Sequence, residues 1–115
     1  MLIEIKNPQA PLLGMKYRHV YSLSCDMSGA INQILMYKDL CQKNYYSLAR
    51  NTKERFESLN PKCLLIIGCT ESLSIEEKDT FELFRNEMKS VEVITFDELF
   101  EKIRILLDFS RKDCR

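Results

Sequence analysis

The sequence predicts an α/β fold, a short and mainly parallel sheet flanked by helices. Strand-like and helix-like stretches alternate along the chain, and such alternation favours parallel strands joined by helical crossovers. Residues 63–67 (CLLII) form a continuous apolar run closed by Gly68, the pattern of a strand covered on both faces. Two capping boxes, Ser74 with Glu77 and Thr95 with Glu98, each open a helix.

The elements follow in order. Residues 2–6 read as a strand in which Glu4 and Lys6 share one face and Ile3 and Ile5 the other. Residues 7–27 read as a long loop, because Pro8, Pro11 and Gly14 break regular structure. This loop carries Lys16, Arg18 and His19 beside Tyr17 and Tyr21. A helix is expected from about Ser28 to Lys43, with Asp26 or Ser28 as N-cap. Met27, Ala30, Ile31, Ile34, Tyr37 and Cys41 make its apolar stripe, and Gln33 lies on the flank of that stripe. A second helical stretch, residues 45–59, ends at Asn60-Pro61.

After the strand at 63–67, the Ser74 box opens a helix to about Lys89 with Phe81, Phe84 and Met88 facing the core. Residues 91–95 (VEVIT) are the third strand. The Thr95 box opens a last helix to about Leu107, with Leu99, Ile103 and Leu106 expected to be buried. The tail from Asp108 to Arg115 is polar and expected to fray. Residues 1–115 thus read as one domain: a strand at 1–6, a loop at 7–27 and an α/β remainder at 28–115.

Bulk properties narrow the classes. A chain of 115 residues supports one hydrophobic core. Lys plus Arg and Asp plus Glu both number 17, so no net charge draws the whole molecule to nucleic acid or an anionic membrane. A local basic patch is still compatible with that balance. No apolar run reaches the ~20 residues that span a bilayer. Glu4 and Lys6 interrupt the apolar N-terminus, which argues against a secretory signal. Five cysteines without a C-x-x-C pair, and a single histidine, argue against a zinc site. This usage suits a reducing cytosol, so the expected location is cytoplasmic, without a membrane partner.

The chemistry-bearing pieces are the Glu4-Ile5-Lys6 triplet and, on the first helix, Gln33 with Tyr37 one turn on. Phosphodiester hydrolysis needs an activated water and neutralisation of charge developing on phosphorus. Glu4 and the Ile5 carbonyl are suitable oxygen ligands for Mg²⁺. Lys6 suits charge stabilisation, and Gln33 suits the orientation of Lys6, water or phosphate. Tyr37, Lys16, Arg18 and His19 are candidates for contacts to a nucleic-acid backbone. An E-x-K triplet is also a common exposed charge pair. Its order with Q-x-x-x-Y on the following helix is what singles it out.

That combination resembles the PD-(D/E)xK nuclease superfamily, with its restriction-endonuclease-like core. More closely, the chain resembles the C-terminal nuclease domain of the Shedu antiphage defence family. The resemblance runs through IEIKNPQAPLLG (3–14), SGAINQILMYKDL (28–40), NPKCLLIIG (60–68) and FELFRNEMKSVEVITFDELFEKI (81–103). It implies a metal-dependent DNA endonuclease, with Mg²⁺ or Mn²⁺ as cofactor and DNA as partner. On the matching positions, Glu4 and Lys6 are the implied acid and lysine of catalysis and Gln33 the supporting amide.

The superfamily motif begins with an Asp on a preceding strand, and only Met1, Leu2 and Ile3 precede Glu4. The expectation is therefore a partial, N-terminally truncated core, with weak or no metal binding and no activity alone. A strand at 2–6 without its natural neighbour leaves a free edge, and a homo-oligomer is expected to cover it. The alternative is a non-catalytic module that keeps the fold and binds nucleic acid or protein, or drives oligomerisation.

Overall fold

The computed structural model describes residues 1–50 and 60–113. It contains β1 (Leu2–Ile5), β2 (Leu13–Tyr17), β3 (Val20–Leu23), α1 (Cys25–Arg50), β4 (Cys63–Ile66), α2 (Ile75–Glu87), β5 (Val91–Ile94) and α3 (Phe96–Asp113). The main sheet has the order β1-β4-β5 and is parallel throughout. Its register pairs Glu4 with Leu65 and Leu65 with Val93, so these three share a face. The α/β class and the short parallel sheet are as the alternating sequence predicts.

The core lies on that face. Leu65, Cys63 and Ile67 meet Met27, Ala30, Ile31 and Ile34 of α1, while Phe81 of α2 packs with Val91 and Val93. β4 is central, which explains why its sequence is apolar without alternation. β1 is an edge strand with only one partner among the described residues, and Ile3 and Ile5 are 54% and 64% exposed.

Four expectations need correction. Residues 7–27 are not one loop: β2 and β3 form an antiparallel hairpin within them, with Tyr17 paired to Val20. Arg18 turns the chain there with φ +55°, so the turn does without the glycine or asparagine that usually marks a hairpin. The first helix begins at Cys25, and its cap is Ser24, whose Oγ accepts the Met27 amide at 3.0 Å. That helix also continues without a break through Arg50, and the rest of the expected second helix lies outside the described residues. Finally, α3 runs to Asp113, and Ile103 and Leu106 on it are exposed.

Of the two capping boxes, the first holds in full and the second in half. Ser74 and Glu77 make both bonds of a capping box at 3.2 Å. At α3, Glu98 accepts the Thr95 amide at 3.0 Å, but the Thr95 hydroxyl donates toward Asp97 and Glu98 instead of accepting. Half of a capping box is thus replaced by a carboxylate cluster.

Candidate active site

The turn after β1 sets the site. Asn7 accepts the Gln9 amide on its side chain at 2.8 Å and the Ala10 amide on its carbonyl at 3.1 Å, with Pro8 between. The Asn7 carbonyl also accepts the Gly68 amide at 3.1 Å, tying this turn to the end of β4. The Ser24 hydroxyl donates to the Pro11 carbonyl at 2.5 Å. The start of α1 is thereby fixed against the segment that leaves β1.

This framework brings Glu4, Lys6 and Gln33 together. The Lys6 ammonium lies 3.2 Å from the Glu4 carboxylate and donates to the Gln33 Oε1 at 2.5 Å. The Gln33 Nε2 donates in turn to the Tyr37 hydroxyl at 3.1 Å. The Glu4 and Lys6 side chains are 24% and 32% exposed, reachable from solvent yet held in place. An ion pair of this exposure contributes only about 0–1 kcal/mol to stability.

Backbone direction adds a further group. The Leu2 and Lys6 amides donate to carbonyls beside β4. Along a strand, backbone groups alternate sides, so Ile3 and Ile5 turn their N–H and C=O to the open edge. The Ile5 carbonyl therefore faces the side on which β1 has no partner among the described residues.

A cleft of about 640 Å³ opens beside the triad, bounded by Lys6, Pro11, Asp26, Gly29 and Gln33. Asp26, expected only as an N-cap of the helix, stands instead in the first turn of α1 and lines this cleft. Its spacing from Gly29, Ala30 and Gln33 puts all four on one helix face, and that periodicity was the available signal. A Cβ on Gly29 would meet nothing within 4 Å, so this wall is open.

The basic residues lie elsewhere. Lys16 pairs with Glu76 at 3.4 Å and sits over the Tyr21 ring, and Arg18 stacks on Tyr17. Both belong to the β2–β3 hairpin, with His19 at its turn, and their contacts are to Glu76, Tyr21 and Tyr17 and not to the triad. The donor set also falls short of a complete magnesium site. Mg²⁺ demands near-octahedral oxygen coordination, and no group of three or more His, Cys, Asp or Glu is positioned for a metal among the described residues.

The strongest pKa perturbation is away from this cleft. Burial pushes the Asp97 carboxyl up, but hydrogen bonds from the Thr70 and Thr95 hydroxyls and from the Thr70 and Glu98 amides outweigh it. They hold it at about 2. Its partners are all structural: Thr70 after β4, and the first turn of α3.

Fold and site together define an α/β domain with a Glu-x-Lys edge strand whose lysine is held by a glutamine of the next helix. Residues 1–100 match the family described as "Shedu protein SduA, C-terminal", and the chain belongs to that family. It is 41% identical over 115 residues to the Shedu protein SduA of Bacillus cereus (strain B4264). That match covers 93% of this chain and 30% of the relative, so the chain spans under a third of the relative's length. No helix among the described residues is long and apolar enough to cross a membrane.

Proposed function

We propose that this chain carries the lysine-bearing half of a metal-dependent DNA endonuclease site in an antiphage defence protein. The observation that carries the reading is the convergence of Glu4, Lys6 and Gln33 within hydrogen-bonding distance at an open sheet edge beside a cleft. In this reading Lys6 stabilises negative charge on the phosphate under attack, Gln33 fixes the ammonium, and Glu4 is an anionic ligand. The Ile5 carbonyl, free on the edge, is a second oxygen donor. Further carboxylates are needed to hold a metal ion, and a segment pairing along the open edge of β1 would be placed to supply them.

The hairpin with Lys16, Arg18 and His19 supplies backbone contacts to DNA. Binding through it weakens as salt rises. The test compares the 115-residue chain with a longer protein of the relative's length that carries it as its C-terminal part, on duplex DNA, with Mg²⁺ or Mn²⁺ and with a chelator. The longer protein is expected to cut only with metal, and the chain alone to leave DNA intact. A longer protein that binds DNA without cutting it under any metal overturns the reading in favour of a binding module.

A further inference from the structure

Gly29 is a glycine for which the fold has no evident use. It sits in the second turn of α1 with an ordinary helical backbone, unlike Gly68, whose φ is positive. It is exposed, and a Cβ there would meet nothing within 4 Å. Neither a turn, nor close packing, nor a strained dihedral calls for glycine at this position among the described residues. Yet glycine weakens a helix interior relative to alanine or leucine, because it loses more backbone freedom on folding. Space kept open at a cost to the helix points to an occupant outside the chain.

The surroundings identify that occupant. Gly29 lies one helical turn from Gln33 on the same face, and both line the cleft together with Lys6. Gln33 holds the Lys6 ammonium, which stabilises charge on phosphate in the proposed reaction. Ala30, also on the cleft wall, is 3% exposed and adds no bulk. We propose that the cut DNA strand rests on Gly29, with the deoxyribose beside the scissile phosphate against the bare helix backbone, closer than any side chain would allow. Charge orders the contact. Lys6 attracts the phosphate, whereas Asp26, one turn before Gly29 on the same face, repels it, so the uncharged sugar falls on Gly29. The proposal rests on the endonuclease reading and locates the strand within that site.

The test uses the longer protein carrying Gly29→Ala or Gly29→Leu. Both substitutes are better helix formers than glycine, so both variants should melt about 1–2 °C higher than the unsubstituted protein. Cleavage should move the opposite way. The initial rate should fall about threefold in Gly29→Ala and at least about 30-fold in Gly29→Leu, and duplex affinity in chelator about tenfold in Gly29→Leu. A Gly29→Ala protein that melts lower overturns the proposal, because a packed protein segment then fills the space. A folded Gly29→Leu protein that cuts at the full rate overturns it as well, and leaves the endonuclease reading standing. If the unsubstituted protein cuts under no metal, that reading falls by itself and affinity decides the contact. Unchanged duplex binding by Gly29→Leu then overturns it, and a loss of about tenfold upholds it. A longer protein that does not bind duplex DNA overturns both.

Discussion

At the scale of single residues, Lys6 and Gly68 answer to different demands. Lys6 spends its charge on a half-exposed pair that adds little stability, and it holds Gln33 at 2.5 Å. Gln33→Ala removes that brace while leaving the charges in place. The expected outcome in the longer protein is a 10- to 100-fold loss of DNA cleavage, measured as initial rate, with unchanged DNA affinity. Gly68 is structural. It has φ +64°, and a Cβ there would lie 2.6 Å from Leu12 Cδ2 and 2.8 Å from the Ala10 carbonyl oxygen. Gly68→Ala therefore combines backbone strain with a backbone collision, and urea unfolding should show a loss of about 1–3 kcal/mol. Both residues were visible in the sequence, Gly68 only as a turn. The close approach that makes it necessary comes from the segment after β1, which no local pattern announces.

At the scale of elements, the two ends of α3 contrast. Its start is locked to Thr70 and Thr95 by the Asp97 carboxylate, and Arg85 of α2 grips Glu98 at 2.7 Å. Burial opposes the ionised form of Glu98 as well, but bonds from Arg85 and Thr95 outweigh it and lower its pKa. A depressed carboxylate pKa stabilises the fold above the unfolded value and loses that contribution as pH falls through the folded one. For Asp97 the window runs from its ordinary 3.8 down to about 2. Asp97 is half-buried, and after allowance for screening the contribution is about 1–2 kcal/mol. Acid unfolding followed by circular dichroism should shift to higher pH in Asp97→Asn, whose stability should change less between pH 4 and pH 2 than that of the unsubstituted chain.

The capping signals at Ser74 and Thr95 were legible because side chain and amide lie within one turn. The hairpin at 13–23 was not. Its turn lacks the usual glycine or asparagine, and its strands are mostly exposed, so no buried face marks them. The length of α3 was missed for a related reason: amphipathic spacing identifies a face but not what covers it.

At the scale of the whole molecule, the radius of gyration is 18.0 Å, against about 13 Å for a compact domain of this length. The core gathers around β4 and Phe81. Phe81 is 1% exposed, and Phe81→Ala should cost about 3–5 kcal/mol in denaturant unfolding. The sheet class and the shared face of Glu4 and Lys6 followed from alternation and strand periodicity, whereas placing Gln33 beside them rested on the order of the motifs and on the family resemblance. Asp26 shares helix spacing with Gly29 and Gln33, but that signal counts only once α1 is known to start at Cys25. The central claim is that the triad performs chemistry instead of bracing the sheet. The most direct measurement is DNA cleavage by the longer protein carrying Lys6→Ala, taken beside its melting temperature. The expected cleavage rate is lower by at least about 10²-fold, with melting unchanged within about 2 °C. Full cleavage by a folded Lys6→Ala protein would contradict it.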